Sequence, residues 1–376
     1  MKIKDINIVN QDPLDARTLE IKTSKIDIVT PDRGVTSTEA GYKKEIQVYY
    51  PIDDPFENKI FEAIQHFTKE EVKELHTKNG AFKKRKRNLR AVVRDHDDML
   101  TKFFPRMRGD IVLDLYDVRA LIDLQMESGL DIISIPDISI NSKPRDYEKH
   151  ILQFAKYVEE HSDAKPMPYI DMANNDELFK NKYNVILDND GTFSCIGMIY
   201  RSTDDYRANY YYLSKNGDNE IWIHASNVGR TYNKTDTAQL HIPQRYAIDT
   251  CTVESYRVRK KIPPKPLEDL KVFDPMTLGQ IPFNAYKEDY GHKPNCLYPF
   301  SNKSMDEFVD VFREGSNAID TLNLDKGLKL HESFTSLGEF ANSRLAIKED
   351  DFRRYIKSRT HLNKSLGGIG NMPPLV

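Results

Sequence analysis

The sequence of 376 residues has few cysteines and no long apolar run. Its three cysteines, Cys195, Cys251 and Cys296, lie far apart and form no CxxC pair, which argues against a disulfide framework and favours a reducing compartment. No apolar stretch approaches the roughly 20 residues that a membrane-spanning helix needs. The start, MKIKDINIVNQD, lacks the apolar segment of a secretory signal. We therefore expect a cytoplasmic protein without a membrane partner.

The sequence also lacks the motifs of several enzyme classes. It has no P-loop, no HExxH helix and no G-x-S-x-G turn, so nothing marks it as a nucleotide hydrolase, a zinc protease or a serine hydrolase. The 58 acidic and 55 basic residues nearly cancel, so contact with a polyanion would have to come from local clusters of charge. The apolar fraction of 39% is sufficient for a packed core and excludes wholesale disorder.

What the sequence does contain is an alternation of short apolar runs and longer amphipathic stretches. Residues 130–135 are mostly apolar, with four aliphatic side chains in six, as in a strand buried on both faces. Residues 145–161 place apolar side chains on one side of a helix. About eight candidate strands alternate with helices in this way, which predicts parallel βαβ units. The fold class is therefore α/β, with a (β/α)8 TIM-like barrel as the first choice and a doubly wound sheet as the second.

Individual elements are also predicted from their local patterns. Residues 56–75 have helical spacing, and Thr68 and Glu71 fit a capping box within them. Residues 89–94 are predicted to form a strand, and residues 206–222 a hairpin insertion.

Three aspartates follow predicted strands: Asp95 after LRAVVR, Asp137 after DIISIP, and Asp249 in RYAIDTC. Catalytic groups of a barrel lie at the carboxyl ends of its strands. A carboxylate there can act as a nucleophile, as a general acid or base, or as an acceptor for a ligand. Aspartate is also common at helix N-caps, so each residue alone leaves a structural role open.

Cations crowd beside two of these aspartates, and neither cluster contains an acid. The clusters are Lys83, Lys84, Arg85, Lys86, Arg87, Arg90 and Arg94, before Asp95, and Arg257, Arg259, Lys260, Lys261 and Lys265, after Asp249. In a nearly neutral chain this concentration favours contact with a nucleic-acid backbone. A solvated basic face is the alternative.

Five segments carry a family resemblance: ARTLEIKTSKIDIVTPDRGVTSTEAGYK, SGLDIISIPD, CIGM, IWIHASNVGR and RYAIDTCTVESYRVR. In this order they resemble the opening hairpin, the base-reading aspartate motif, the IGG-type segment, the H-L-x-G-x-G strand and the D-x-F-D segment of the tRNA-guanine transglycosylase superfamily. VVRDHDD resembles, more loosely, the strand that carries a further essential aspartate in a DSGG context. Enzymes of this superfamily exchange guanine for a 7-deazaguanine base.

The resemblance implies a double displacement through a covalent glycosyl-aspartate, as in a retaining glycosidase. It makes Asp249 the nucleophile and Asp95 the general acid/base, with Asp97 and Asp98 as rivals for the second role. The implied substrate-binding set is Asp137, Ile196, Gly197, Met198 and Gly229. The residues expected on the nucleic-acid backbone are Lys84, Arg85, Arg87, Arg257, Arg259 and Lys260. The aromatic residues nominated to stack on an extruded base are Phe103, Phe104 and Tyr256.

The sequence departs from the family in several places. The DSGG-type glycines are missing after Asp95, and the glutamine expected near the end of PMPYIDM is absent. The family's zinc site, three cysteines and a histidine, is reduced to Cys296 and His331. A structural zinc site takes four ligands, so no metal and no other cofactor is predicted.

The resemblance also implies the domain organisation. Residues 1–285 would form the barrel with its N-terminal β-hairpin and insertions. Residues 286–366 would form a C-terminal helical subdomain that matches the degenerate zinc-binding region, and residues 367–376 a flexible tail.

The expected function is a pentosyltransferase that places a 7-deazaguanine of the preQ0 type in nucleic acid. DNA is slightly favoured over tRNA, since the superfamily includes DNA-modifying members, often in phages (a phage-encoded chain would act in the host cytoplasm). The alternatives are a catalytically inactive nucleic-acid-binding relative or partner subunit, and a different barrel enzyme. The implied partners are DNA or tRNA, guanine, the 7-deazaguanine base and a second copy in a homodimer.

Overall fold

The computed structural model describes residues 3–11, 16–46, 56, 59–109, 111–138, 144–217, 219–232, 235–253, 265–290, 304–313 and 318–366. The chain divides into two compact units. The first comprises residues 1–37, 57–228 and 243–255, and the second comprises 38–56, 229–242 and 256–376. The second unit includes residues 38–56, 229–242 and 256–285, which lie before the predicted boundary at residue 285. The predicted tail, 367–376, lies outside the described residues.

The helices and strands of the described residues follow in chain order. The strands are β1 (Ile3–Gln11), β2 (Arg17–Thr23), β3 (Asp27–Val29), β4 (Asp32–Arg33), β5 (Val35–Thr36), β6 (Ile60–Phe67), β7 (Leu100–Met107), β8 (Ile132–Ile135), β9 (Lys165–Asp171), β10 (Cys195–Ile199), β11 (Trp222–Val228), β12 (Thr231–Tyr232), β13 (Thr237–Ala238), β14 (Thr250–Val253), β15 (Lys271–Asp274) and β16 (Gly279–Pro282). The helices are α1 (Ser37–Ile46), α2 (Lys69–Thr77), α3 (Asn79–Arg94), α4 (Leu115–Ser128), α5 (Pro144–His161), α6 (Asp176–Leu187), α7 (Arg207–Lys215), α8 (Phe283–Tyr290), α9 (Met305–Asp310), α10 (Thr321–Lys348), α11 (Phe352–Ser358) and α12 (Thr360–Ser365).

The first unit is built on a barrel-like parallel sheet in the order β4-β14-β11-β10-β9-β8-β7-β6-β5. Every neighbouring pair in it is parallel. Only Gly34 separates β4 from β5, the two ends of this order, so the sheet returns almost onto itself. A Cβ on Gly34 would lie 2.7 Å from Thr252 Cγ2 and 3.1 Å from the Ile60 carbonyl oxygen. Glycine is therefore what allows this close approach between strands.

The N-terminal strands β1, β2 and β3 form an antiparallel sheet that packs on the amino ends of the barrel strands. Leu19 and Ile21 of this sheet share one apolar cluster with Ile60, Cys195 and Trp222, the first residues of β6, β10 and β11. The predicted N-terminal hairpin is thus present as β2 and β3. Because it covers the amino ends, the carboxyl ends remain for a binding site.

Several predicted elements are confirmed. The apolar run at 130–135 contains β8, the predicted helix at 145–161 is α5, and the Thr68–Glu71 capping box begins α2. A capping box can be recognised in a sequence because its two side chains accept hydrogen bonds from two backbone N–H groups at the start of the helix.

Three predicted elements are wrong. Residues 60–67 form strand β6 rather than part of a helix. Residues 89–94 belong to helix α3, whose buried Leu89 and Val93 are four positions apart, as one helix face requires. The predicted hairpin at 206–222 contains helix α7. Strand β6 was hidden because both of its faces are covered, so its sequence does not alternate between apolar and polar residues.

The second unit, taken by itself, contains the antiparallel sheet β12-β13-β16-β15 and the helix α10 of 28 residues. The ring of His241 stacks on the rings of Phe273 and Phe340 at centroid distances of 5.9 and 4.6 Å. Among the described residues, no helix has the length and apolar character needed to cross a membrane.

Candidate functional site

A cavity of about 420 Å³ lies at the carboxyl ends of β7 to β11 in the first unit. Its lining includes Phe104, Arg106, Asp137, Tyr169, Asp171, Asn174, Ile199, Arg201 and Asn227. Volumes of this order are typical of small-molecule sites, and this edge of a parallel barrel carries the loops that bind ligands. Aromatic rings, two arginines and two aspartates thus meet in one concave surface.

Asp137 is the predicted site residue that the structure does place in this cavity. Its Oδ1 accepts a hydrogen bond from Lys182 Nζ at 2.6 Å, and its Oδ2 accepts from the Asp171 amide at 2.9 Å and from Asn174 Nδ2 at 3.0 Å. Its side chain is 8% exposed. A carboxylate has about four acceptor positions, so one remains for a ligand after these three bonds.

A second carboxylate, Asp171, faces an arginine at the cavity. Arg201 binds it in a bidentate manner, with Nε to Oδ1 at 2.9 Å and Nη2 to Oδ2 at 2.6 Å. The Ala173 amide also donates to Oδ1 at 2.9 Å. This bidentate ion pair holds both side chains in place. The cavity wall therefore carries a positive and a negative charge side by side.

The floor of the cavity is aromatic. The Tyr169 ring stacks on Phe104, one of the nominated aromatic residues, with centroids 5.3 Å apart and an angle of 25° between the planes. Phe103 is instead buried against Phe67, and Tyr256 lies outside the described residues. A Cβ on Gly197 would lie 2.4 Å from the Tyr169 ring. Gly197 therefore serves the floor by leaving space for this ring, and does not itself line the cavity.

Beneath the floor, a buried ion pair occupies the barrel interior. Lys102 Nζ donates to Glu62 Oε1 and to Tyr169 Oη, and lies 3.3 Å from Ser226 Oγ. Thr252 Oγ1 donates to Glu62 Oε2, and Ser226 Oγ donates to Glu62 Oε1 at 2.5 Å. Burial opposes ionisation of Glu62, but Lys102 and His224 outweigh it and hold the pKa of this carboxyl below its usual range.

Asp249, the assigned nucleophile, lies at the opposite end of the barrel. It precedes β14, so it stands at the amino end of that strand, whereas the prediction placed it at a carboxyl end. Arg17 binds it in a bidentate manner, with Nε to Oδ1 at 2.8 Å and Nη2 to Oδ2 at 2.7 Å. The Ile223 amide donates to Oδ2 at 2.7 Å. Burial raises the pKa of Asp249, and Arg17 acts in the opposite direction.

The same Arg17 guanidinium also donates to the carbonyl oxygens of Gly217, Asn219 and Ile221. Both side chains of the pair are at most 1% exposed. Through this buried pair, Asp249 joins the start of β2 to the start of β14.

Asp95, the assigned acid/base, is also outside the cavity. It caps the carboxyl end of helix α3 and is exposed. Asp97 and Asp98 are exposed in the same connection to β7. Because a helix of a βαβ unit returns the chain to the amino end of the next strand, all three lie before the start of β7, away from the carboxyl-end cavity.

The remaining substrate-binding predictions also fall outside the cavity lining. Ile196 and Met198 are fully buried in β10 between its neighbouring strands. Gly229 belongs to the second unit, where a Cβ would lie 2.3 Å from Gln239 Oε1. Of the five residues predicted to bind substrate, Asp137 alone is among the residues that line the cavity.

The first cation cluster lies on helix α3, and its members differ in surroundings. Arg85, one of the predicted backbone contacts, donates to Glu71 at 2.7 Å, and Lys86 donates to Glu127 at 2.7 Å. The other members are exposed and form no ion pair within the described part of the chain: Lys83, Lys84, Arg87, Arg90 and Arg94. In the second cluster, Arg257, Arg259 and Lys260 lie outside the described residues.

His331 does not fit a zinc ligand. Its Nε2 lies 3.1 Å from the Phe273 carbonyl oxygen and its Nδ1 lies 3.1 Å from Thr335 Oγ1, so both ring nitrogens are already engaged. Burial lowers the pKa of this ring to about 4. Cys296 lies outside the described residues. Within the described ranges, no group of three or more metal-binding side chains comes together.

Sequence reasoning missed most of the cavity. The residues it did not assign are Arg106, Asp171, Asn174, Arg201 and Asn227. Each lies within three residues of the last residue of its strand, so correct strand ends would have found them. Asn227 also takes the place of the first glycine of the H-L-x-G-x-G pattern, and its φ of 70° is the backbone conformation that glycine favours.

Comparison with known proteins leaves the family open. No family model matches this chain, and no curated protein matches it.

Proposed function

We propose that this chain binds a guanine-type base of a nucleic acid in the carboxyl-end cavity, as a transglycosylase-like barrel that performs no base exchange. The observation that carries the proposal is the place of Asp137. The residue that the resemblance assigned to base reading lies in a cavity of about 420 Å³ with the Phe104–Tyr169 floor. An apolar floor suits the face of a planar heterocycle, and a carboxylate accepts hydrogen bonds from a base edge.

The proposed barrel is of the (β/α)8 TIM type. Counting β4 and β5 as one strand, interrupted by Gly34, reduces the nine strands of the sheet to eight. The cavity then lies where barrel enzymes and barrel binding proteins hold their ligands.

The positions of the assigned catalytic groups support the proposal that no exchange takes place. Base exchange needs a carboxylate that attacks the sugar carbon and a second group that moves a proton. Asp249 is paired with Arg17 at the amino ends, and Asp95 caps a helix. If Asp249 matches the first aspartate of D-x-F-D, the last position falls on Thr252, whose hydroxyl donates to Glu62 inside the barrel.

Base exchange by another carboxylate is the second candidate function. Asp171 lines the cavity and would be the attacking group. Its bidentate bond with Arg201 weakens it as a nucleophile, because both oxygens are already shared with a cation. A covalent adduct with a guanine-containing strand that is lost in Asp171→Asn would favour this candidate.

The nucleic-acid part of the proposal is supported by helix α3. Lys83, Lys84, Arg87, Arg90 and Arg94 are exposed on it without acidic partners in the described residues. Such cations bind phosphates regardless of sequence, so DNA, slightly favoured, and tRNA both remain proposed partners.

Blocking the cavity is expected to abolish guanine binding. Ala173 lines the cavity and is exposed, so Ala173→Trp would fill the space without disturbing the core. We expect equilibrium dialysis with labelled guanine to show one site in the unmodified chain, and an affinity at least about tenfold weaker in the variant, a loss of about 1.4 kcal/mol.

The matched control is Leu345→Trp, which adds the same ring at a position 53% exposed on α10. It should bind guanine as the unmodified chain does. Equal affinity in Ala173→Trp and Leu345→Trp, or no guanine binding by the unmodified chain, would show that the cavity is not the base site.

A further inference from the structure

One cavity residue, Asn227, has a side-chain oxygen that forms no hydrogen bond with the described residues. It lies in β11 one residue before the end of the strand and lines the cavity. Its Oδ1 is buried and has no hydrogen-bond partner among the described residues. A buried acceptor without a hydrogen bond is unfavourable. A bound ligand with an N–H or O–H group would satisfy this oxygen.

The backbone at Asn227 adds a second observation. Its φ of 70° lies in the left-handed region, where glycine costs least and asparagine is tolerated better than most residues. Glycine fits the same φ, so this backbone conformation does not by itself require the amide.

The carboxylates and the tyrosine hydroxyl at the cavity already take part in hydrogen bonds within the fold. Asp137 accepts from Lys182, the Asp171 amide and Asn174, and Asp171 accepts from Arg201. Tyr169 Oη is bonded to Lys102 and Ser226. Asn227 Oδ1 thus differs from these atoms in having its full accepting capacity available to a ligand.

We propose that Asn227 determines specificity: its side-chain oxygen accepts a hydrogen bond from an N–H group of the bound base. The cavity then selects heterocycles that present a donor at this edge, such as guanine, over those that do not, such as unsubstituted purine. A site built to accept a donor discriminates against analogues that lack it, because the buried acceptor would stay unpaired. This inference rests on the proposed base-binding function.

Two variants test it in the full chain. Asn227→Gly removes the amide and suits the positive φ, so the fold should be retained. Asn227→Asp keeps an oxygen acceptor of the same shape. The measurement is calorimetric titration with guanine and with purine, and thermal unfolding confirms that each variant is folded.

We expect the unmodified chain to prefer guanine over purine by roughly tenfold, the scale of one hydrogen bond to a buried group. Asn227→Gly should reduce this preference through weaker guanine binding, leaving the part that Asp137 contributes, while its purine affinity stays the same. Asn227→Asp should keep the preference for guanine.

Three results would overturn the inference. An unchanged preference in Asn227→Gly would show that the amide does not read the base. The same reduction of the preference in Asn227→Asp would show that the amide donates rather than accepts. If the unmodified chain bound neither base, the proposed function itself would fail, and this inference with it.

Discussion

Replacing Lys102 with methionine is expected to lower the free energy of unfolding by about 3–5 kcal/mol, the usual cost of removing one partner from a buried ion pair. Lys102 and Glu62 are both fully buried in the barrel interior. Without the ammonium group, the Glu62 carboxylate would keep only hydroxyl donors and the neighbouring His224. Urea denaturation measures the change, and the fluorescence of Trp222, the one tryptophan of the sequence, reports it from a fully buried position.

The matched control is Lys86→Met. Lys86 pairs with Glu127 at 2.7 Å, but the two side chains are 32% and 51% exposed. Exposed pairs contribute about 1 kcal/mol or less, so this variant should unfold almost as the unmodified chain does. The double variant Glu62→Gln with Lys102→Met should regain part of the lost stability, since no uncompensated charge remains. Equal losses of unfolding free energy in Lys102→Met and Lys86→Met would contradict the stabilising role of the buried Glu62–Lys102 pair.

Asp249→Asn is expected to act on folding rather than on chemistry. The substitution removes the counterion of Arg17, which is 1% exposed, and should lower the free energy of unfolding by about 3–5 kcal/mol. Guanine affinity per folded molecule should stay the same, because Asp249 stands at the amino end of β14 and the cavity lies at the carboxyl ends. Urea denaturation and guanine titration of the same samples separate the two effects.

Asp310→Asn is the control for this substitution, because Asp310 is 63% exposed in its pair with Arg313. It should cost no more than about 1 kcal/mol. A nucleophilic Asp249 would give the reverse of our expectation: nearly full stability in Asp249→Asn and complete loss of a covalent adduct with a guanine-containing strand. That result would return Asp249 to the active site.

Secondary structure was largely predictable where a local sequence pattern, such as an apolar stripe or a capping box, specifies a helix or a strand. Residues 145–161 carry a single apolar stripe, and they form α5. The Thr68–Glu71 pair marks a helix start through its own chemistry, and it begins α2. The apolar run in 130–135 contains β8 and leads directly to Asp137 at the cavity. Local patterns therefore located one wall of the site.

The rest of the site depended on facts that a local pattern does not contain. Asp249 was expected after a strand, at its carboxyl end. The strand β14 instead begins at Thr250, directly after Asp249, and this moves the aspartate from one end of the barrel to the other. Strand ends are the least reliable part of sequence interpretation. The position of this one strand end decides whether Asp249 is interpreted as a nucleophile or as a structural counterion.

The barrel interior was hidden for a different reason. Glu62 and Lys102 are charged residues in the middle of β6 and β7, and polar residues inside an apolar run argue against a buried strand. The two are paired by register, since Glu62 stands opposite Lys102 in the parallel ladder. An ion pair between residues forty positions apart can be recognised only once the pairing of the two strands is known.

A crystal structure of the full chain soaked with guanine tests the central claim most directly. We predict a planar base in the carboxyl-end cavity with an edge toward Asp137, and Asp249 still paired with Arg17. Guanine bound at the amino ends of the strands beside Asp249, with the Arg17 pair opened, would contradict this account.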